Sequence, residues 1–506
     1  MDNMEKALVP EGAAQPAQTP RKIYDTLPHG RLLLAGALGL CLLLVNAAGW
    51  PWGMGNTVTV FAWYALLLAA VGREALARRR ESRVLLVYNL LLAASFALTS
   101  NPWFQVWNFL ALVLLVPLHT ASLSAGELLP WWRPAMAEER LGLLCRGAFC
   151  HLGAAPAALS AGRERKSVSL TVVLGAAAAL GLVSALLPVL ASADALFAAA
   201  TRDLTEFIRL HLARGLWKLL WALALTPFLF GLLYSLRREP AKAGSRTACT
   251  VDSVLFAIVL GALDALYLLF LAVQSAGLFG GPEYLAQRGV SYAEWARSGF
   301  FQMVGVTILN LAALMAALTL SRQEGRAWRV LRGLAAALTG ESLILLASAA
   351  WRMTLYVSAY GLSFKRCMTY WGMVMMALFL LAALEKIRKP ERSFCRRAVP
   401  LALAGWLVIN CIPVDYLVAK DQVDRYLSRK SPILSVHYLA YSLSYETLSQ
   451  LERLDPSLSL AICEGDWWSR QDTAGALVEK RRAAARAECA DWRSWNLSAC
   501  LAAAGD

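Results

Sequence analysis

Charged residues are scarce in this sequence. Only 17% of its 506 residues are Asp, Glu, Lys or Arg, whereas 58% are hydrophobic. A soluble domain carries about one quarter charged residues, so the composition excludes an ordinary soluble protein. The apolar residues form blocks of about 17–25 residues without the alternation of barrel strands, and a helix of this length crosses the hydrocarbon of a bilayer. The sequence therefore predicts an all-α fold, a polytopic transmembrane helical bundle with a small C-terminal helical extension.

Motifs for catalysis and for metal binding are also lacking. The sequence contains no P-loop, no GxSxG, no HExxH and no CxxC pair. The 5 histidines show no spacing that indicates a metal site; they are His29, His119, His151, His211 and His437. We therefore expect no enzyme activity, no cofactor and no metal ion.

Eleven apolar blocks predict about eleven spans, four within residues 31–123 and seven within residues 168–414. The predicted spans are Leu32–Trp50, Thr57–Val71, Val84–Leu98, Phe104–Leu123, Val168–Ala193, Leu216–Leu236, Val254–Gln274, Phe300–Leu320, Leu334–Tyr356, Met368–Leu384 and Val399–Val414. Residues 1–30 are polar and rich in Pro and Ala, which predicts a disordered tail.

Basic residues concentrate in alternate loops. Residues 73–83 hold five arginines, whereas the neighbouring loops WPWGMGN and SNPW hold no charge. By the positive-inside rule the N-terminus is cytoplasmic, in the inner (plasma) membrane of the cell. An odd number of spans then places residues 415–506 outside. The net charge of +14 is explained by this orientation, so we expect the lipid bilayer and not a nucleic acid as a partner.

Three segments lie between or beyond the spans. The cytoplasmic loop 124–167 contains a predicted short helix, Met136–Phe149. Residues Asp194–Arg214 are amphipathic, which is typical of a helix on the membrane surface or of a cap on the bundle. The C-terminal extension, 415–506, shows two helical runs, Tyr438–Leu454 and Ala474–Trp492, that predict a helical hairpin.

The C-terminal extension also carries three cysteines and a glycosylation-like triplet. Two of Cys463, Cys489 and Cys500 would form a disulfide in an oxidising compartment and leave one free thiol. Asn496 begins the triplet NLS, which fits a glycosylation acceptor.

Two carboxyl groups lie inside predicted spans, Asp264 in the seventh and Glu341 in the ninth. A charge at the centre of a bilayer costs roughly 3 kcal/mol or more, so such residues face an interior. One hypothesis is a proton or cation relay. The alternative is a neutral carboxyl bonded to a neighbouring helix, with Asn310 or Ser342 as partner.

A polar cluster is predicted at the outer ends of the eighth and ninth spans. Arg352, Tyr356 and Tyr360 share one helix face because they recur every four residues. Glu294 and Arg297 lie one turn apart just before the eighth span, close enough to pair. Together these side chains indicate either an external polar pocket or an Arg–Glu clasp within a belt of aromatic residues.

The stretch YAEWARSGFFQ, residues 292–302, resembles the YA-x-YAR-x-GF signature of bacterial membrane proteins of the domain of unknown function 4173 and 4153 families. Further similar stretches follow in order, among them SAAWRMTLYVSAYGLSFKR, DYLVAKDQVDRYL and DWRSWNLS. The resemblance extends from about Val251 to the end of the chain. It implies a multi-pass bacterial membrane protein with no established activity.

Two functions of different classes are compatible with the sequence. The first is a transporter or permease, in which Asp264 and Glu341 bind a coupling ion and the outer cluster meets a small solute. The second is a membrane-embedded sensor or envelope-assembly protein that binds an envelope protein through its C-terminal extension. The sequence does not predict an oligomeric state.

Overall fold

The structure is a computed structural model. It describes residues 27–47, 51–133, 135–160, 213–238, 251–279, 300–460 and 473–505, with isolated helical positions between residues 179 and 193. Within these ranges the fold is helical, and the β-bridges that join two described residues are isolated, Val251 to Ser321 and Ser459 to Thr473. The predicted all-α fold is thereby confirmed.

The helices are numbered in chain order through the described ranges. Their bounds are α1 Gly30–Ala47, α2 Met54–Val71, α3 Glu74–Ala77, α4 Arg80–Leu98, α5 Pro102–Ser122, α6 Ala135–Cys150, α7 Ala154–Ser160, α8 Ala213–Arg238, α9 Ser253–Phe279, α10 Phe300–Leu320, α11 Gly325–Tyr360, α12 Phe364–Arg388, α13 Cys395–Cys411, α14 Val414–Leu427, α15 Leu448–Leu451, α16 Ala474–Ala490 and α17 Leu497–Ala504.

Of the helices in the described ranges, 9 are long and apolar enough to cross a membrane, and up to 10 spans result if the pair α13 and α14, bent by 49°, counts as one. These helices coincide with the predicted spans except the fifth, Val168–Ala193, which lies largely outside the described residues. The amphipathic segment predicted between residues 194 and 214 also falls outside them, except for its last two residues, which begin α8. The short helix predicted in the cytoplasmic loop is present as α6.

Helix α11 is much longer than the predicted ninth span. It has 36 residues, which at about 1.5 Å per residue is roughly 54 Å, against about 30 Å of hydrocarbon. Most of the additional length lies at its N-terminal end and carries arginines, which an apolar block excludes. Arg332 in this N-terminal part donates from Nε to the carbonyl of Ile387 in α12 at 2.8 Å. The helix therefore continues beyond the bilayer, packed against a neighbour.

The spanning helices form two groups. Helices α1, α2, α4, α5 and α8 pack in one group, and α9, α10, α11 and α12 pack in the other. Helix α13 contacts both α4 and α12 and so joins them. Two side-chain hydrogen bonds hold α13 against α5 of the first group. Asn108 Nδ2 donates to Asn410 Oδ1 at 2.7 Å, and Trp406 Nε1 donates to Asn108 Oδ1 at 2.7 Å.

The C-terminal region, residues 415–505, packs on one end of the bundle. Its buried residues form a single hydrophobic core with Phe104, Phe364 and Ile409 of the spans. The second predicted helical run is confirmed as α16. The first run is not one helix, because it is broken into a π-helical turn, Tyr438–Ser442, a 3-10 turn and α15. Two of these pieces, the π-helical turn and α15, contact α16.

A disulfide joins Cys489 to Cys500 and thus α16 to the segment that contains α17, with a Cα–Cα distance of 5.7 Å. Cys463 lies outside the described residues. Asn496 is not an accessible glycosylation acceptor, because it is fully buried. Its Oδ1 accepts from Ala499 N at 2.8 Å and its Nδ2 donates to Ser494 O at 3.1 Å, so it is the N-cap of α17.

Candidate functional site

Asp264 and Glu341 come together between α9 and α11. Their carboxyl groups lie within hydrogen-bonding reach of each other. Both residues are buried, with 5% and 6% of their surface exposed. Each carboxyl shares its helix face with apolar residues one turn away, Leu260 beside Asp264 and Leu338 beside Glu341. Two residues predicted as separate candidates therefore form one carboxyl pair.

The surroundings of the carboxyl pair favour a bound proton. Three of its four carboxyl oxygens, both of Asp264 and Oε2 of Glu341, are buried without a donor among the described protein groups. Carboxylates only accept hydrogen bonds, so a bond between the two forms only when one carries a proton. Two negative charges at this separation in an apolar surrounding also repel strongly. The arrangement is therefore suited to holding one proton between two side chains.

A second polar chain lies beside the carboxyl pair. Tyr267 Oη donates to Asn310 Oδ1 at 2.8 Å, and Asn310 Nδ2 donates to Ser342 Oγ at 2.9 Å. The bonds connect α9, α10 and α11. Asn310 and Ser342, which the sequence offered as partners for a neutral carboxyl, are engaged with each other. This leaves the two carboxyl groups as each other's partners.

The predicted outer cluster is described in part. Glu294 and Arg297 lie outside the described residues, and Arg352 is buried in α11. Tyr356 and Tyr360 form a ring pair with centroids 4.9 Å apart. Tyr356, Tyr360 and Arg352 thus lie on the last turns of one long helix, as the spacing predicts.

Two arginines that the sequence search missed hold the end of α11. The guanidinium of Arg366 lies 4.4 Å from the centre of the Tyr356 ring, and its Nη1 donates to Tyr360 O at 3.1 Å. Arg425 of α14 donates from Nη2 to Val357 O at 3.1 Å. Cations at this position compensate the free carbonyls and the negative end of a helix dipole. The described part of the cluster is therefore a cap on α11.

Asp415 forms a junction that sequence reasoning also missed. It is 2% exposed, and its Oδ2 accepts from Asn101 Nδ2 at 2.7 Å and from Ser444 N at 2.8 Å. Asn101 is also the N-cap of α5, because its Oδ1 accepts from Phe104 N at 2.8 Å. One carboxylate thus ties a span to the C-terminal region. The sequence signal was an acidic residue immediately after the last apolar block.

The loops without charge meet the C-terminal region, and this end of the bundle is called the C-terminal face. Met54 N donates to Trp495 O at 2.9 Å, Tyr445 N donates to Ser100 Oγ at 3.1 Å, and Leu362 N donates to Asp421 Oδ2 at 2.6 Å. Three separate loops therefore lie on the same side as residues 415–505.

Arginine-rich loops meet at the other end, called the basic face. Arg79 Nη1 donates to Ser122 O at 2.9 Å, Arg237 Nη1 donates to Ala70 O at 2.7 Å, and the Arg396 guanidinium lies 5.2 Å from the ring centre of Trp132. Burial lowers the pKa of Arg79, with Glu81 and Glu139 opposing that shift. Helix α13 starts at the basic face and ends at the C-terminal face.

Metal ligands do not gather within the described residues, where no group of three or more His, Cys, Asp or Glu side chains is placed to hold an ion. Asp264 and Glu341 are buried as a pair, Asp415 is buried apart from them, and the described free cysteines are spread over several helices.

The fold and the carboxyl pair define a polytopic α-helical integral membrane protein. The family model described as domain of unknown function DUF4153 matches residues 86–454, more than half of the chain, and the chain belongs to this family. The resemblance to this family is confirmed, but its extent differs: the match begins in α4, well before Val251, and ends before α16. No curated protein and no solved structure matches the chain.

Proposed function

We propose that the protein is a proton-coupled transporter of a small solute, in which Asp264 and Glu341 together bind the coupling proton. The observation that carries the proposal is the contact between two buried carboxyl groups on neighbouring spanning helices. Ionisable residues inside a membrane are expensive and mark ion or proton pathways when they face a bundle interior. A pair that alternates between holding and releasing one proton couples that event to the packing of α9 against α11.

The proposal includes the orientation and the compartment. The arginines of the basic face lie in the cytoplasm of a bacterial cell, since cytoplasmic loops of membrane proteins are enriched in Lys and Arg. The C-terminal face then lies outside the inner membrane. The disulfide between Cys489 and Cys500 supports this side, because disulfides persist in oxidising compartments. The predicted outer site around Arg352, Tyr356 and Tyr360 would face the same compartment.

The test is accumulation of solute by proteoliposomes that contain the full chain. An isotopically labelled extract of small metabolites serves as the probe, and a pH gradient as the driving force. We expect the wild type to accumulate at least one labelled solute, and a protonophore to abolish this. Asp264→Asn and Glu341→Gln should each lower accumulation by about tenfold or more, because the new amide donates to the remaining carboxylate and takes the place of the coupling proton.

The matched control is Asp252→Asn together with Glu324→Gln. These acidic residues precede the same two helices, α9 and α11, and are exposed. The control should accumulate solute like the wild type. Accumulation that survives the protonophore, or that persists in both carboxyl variants, would contradict proton coupling.

A second function is favoured by the attachment of the C-terminal region. Its contacts with three loops and its disulfide fix the C-terminal region to the end of the bundle. A fixed surface of this kind suits a sensor or envelope-assembly protein that binds an envelope protein. Deleting the region would expose its shared core with the spans, so a surface test is preferable. A photo-crosslinker replacing Trp492, 48% exposed, should capture one envelope protein reproducibly, and one replacing Arg80 on the basic face should not.

A further inference from the structure

A pocket of about 400 Å³ lies where the C-terminal region meets the ends of two spans. Leu98, the last residue of α4, and Pro413, just after α13, form part of its wall. The pocket therefore lies at the level where helices leave the hydrocarbon on the C-terminal face. A ligand there reaches both the bilayer surface and the polar interior of the C-terminal region.

One wall of the pocket is apolar and open. Leu98, Leu497 and Leu501 line it, and they are 52%, 41% and 66% exposed. Exposed leucines at the edge of a bilayer suit contact with an acyl or alkyl chain, which loses water on binding. This wall therefore fits the apolar part of an amphiphile.

The polar part of the pocket is acidic. Glu446 lines the pocket and is half-buried. Among the described residues, none donates a hydrogen bond to its carboxylate and none forms an ion pair with it. Each of the other described carboxyl groups in the C-terminal region accepts from a protein donor, as Glu452 does from Arg482 at 2.6 Å and Asp424 from Arg453 at 2.7 Å. Glu446 thus lacks the partner that its neighbours have.

The charges around the pocket determine whether a cationic or an anionic ligand is favoured. The residues that line it include two carboxyl groups and no lysine or arginine. Burial raises the pKa of Glu446 to about 7, and the negative charge of nearby Asp415 adds to the effect. A cation next to Glu446 would remove both penalties, whereas an anion would increase them. The Tyr416 ring, which also lines the pocket, offers a face that attracts cations.

We propose that this pocket binds an amphiphile in which a primary or quaternary ammonium group is attached to an apolar chain. The ammonium lies against the Glu446 carboxylate and the Tyr416 ring, and the chain lies along Leu98, Leu497 and Leu501. Membrane lipids with amine headgroups and free alkylamines share this chemistry. The site is remote from Asp264 and Glu341 in the fold and does not depend on proton coupling.

The experiment measures binding of hexyltrimethylammonium to the full chain in a neutral detergent by isothermal titration calorimetry. Hexanol reports the apolar contribution alone. We expect the ammonium probe to bind the wild type more tightly than hexanol does, and Glu446→Gln to weaken its binding by about tenfold, which is 1.4 kcal/mol. The matched control, Glu479→Gln, removes an exposed carboxylate of α16 outside the pocket and should bind like the wild type.

A second variant distinguishes loss of the binding site from misfolding of the protein. Ser449 lines the pocket and is exposed, so Ser449→Trp should fill the space without disturbing the core, and it should also abolish binding. Equal affinity of Glu446→Gln and wild type overturns the proposal, as does an affinity for hexyltrimethylammonium no higher than for hexanol.

The source of the ligand is distinguished in lipid nanodiscs. If a membrane lipid occupies the pocket, discs of phosphatidylethanolamine should weaken probe binding by competition, whereas discs of phosphatidylglycerol should not. If a free amine is the ligand, both discs should give the same affinity as detergent. Either result supports an ammonium site, while absence of saturable binding by the wild type in all three media overturns it.

Binding should also depend on pH. The probe has a fixed charge, so its affinity should rise between about pH 6 and about pH 8 as Glu446 loses its proton, because its pKa is about 7. The other titratable or charged groups that line the pocket or act on Glu446 are Asp415, Tyr416, Tyr445 and Glu452, and Arg482 forms an ion pair with Glu452. Glu446→Gln should remove the pH dependence. A pH dependence that remains in this variant would assign the titration to one of those groups and overturn the role of Glu446.

Discussion

At the scale of single residues, Asp415 illustrates how much one buried carboxylate can organise. Its Oδ2 accepts two hydrogen bonds, from the Asn101 side chain and from the Ser444 backbone. Replacing it by alanine leaves both donors buried without an acceptor. An unpaired buried donor costs about 1–3 kcal/mol. The carboxylate therefore stabilises the protein mainly by accepting hydrogen bonds from these two donors, and less through its own charge.

We therefore predict that Asp415→Ala destabilises the detergent-solubilised protein by about 3 kcal/mol, measured by thermal or denaturant unfolding followed by tryptophan fluorescence. Asp415→Asn keeps an oxygen acceptor and should lose less. Asp424→Asn, which removes one exposed ion pair with Arg453, should change stability by less than about 1 kcal/mol. Equal losses for Asp415→Ala and Asp424→Asn would refute the junction.

The residue scale also shows where sequence reasoning stops. Asp264 and Glu341 are conspicuous in the sequence because each interrupts an apolar block. Their contact is not visible there, because it depends on α9 packing against α11 instead of against another of the similar apolar helices. Asn310 and Ser342 were equally plausible partners by position, and the packing pairs them with each other.

At the scale of helices, the approach of α2 to the C-terminal region depends on Gly53. A Cβ atom at this position would lie 2.5 Å from Ser494 O and 2.6 Å from Trp495 O. These are backbone atoms, which cannot rotate away as a side chain would. The first turn of α2 can therefore lie against residues 493–495 only with glycine before it.

We predict that Gly53→Ala separates α2 from the C-terminal region and destabilises the protein by about 1–3 kcal/mol through overpacking. Hydrogen exchange at Met54 and Gly55, whose amides donate to Trp495 O and Arg493 O, should become faster. Gly39→Ala is the control, since a Cβ in that part of α1 meets nothing within 4 Å. The control should be neutral or slightly stabilising, because alanine favours helix. Unchanged exchange in Gly53→Ala would contradict this account.

The spans were predictable because their signal is local: an apolar block of sufficient length forms a helix in lipid whatever surrounds it. The break in the first helical run of the C-terminal region, Tyr438–Leu454, was not predictable from the sequence. Ser444 leaves the helical ladder because its N–H is taken by Asp415, and Thr447 Oγ1 donates to Leu439 O at 2.9 Å across the break. Tertiary contacts thus override a helical pattern, and the sequence of the run contains no proline or glycine to mark the place.

At the scale of the whole molecule, the basic face and the C-terminal face are expected to lie on opposite sides of the membrane. Arg80 on the basic face and Lys430 on the C-terminal face are both exposed, so cysteines at these positions should be accessible to reagents. In a background where exposed Cys145, Cys150 and Cys411 are serine, a membrane-impermeant maleimide should label Lys430→Cys in intact cells. Arg80→Cys should react only after permeabilisation. The reverse pattern would invert the orientation.

Infrared spectroscopy of the full chain at neutral pH tests most directly whether the carboxyl pair holds a proton. A proton shared between Asp264 and Glu341 gives a carboxylic acid C=O band in the apolar interior, shielded from deuterium exchange. We predict that the band is present in the wild type and in the control with Asp252→Asn and Glu324→Gln. The variant with Asp264→Asn and Glu341→Gln should lack it. Wild-type and pair-variant spectra that coincide in this region would show that the pair holds no proton and would contradict the account.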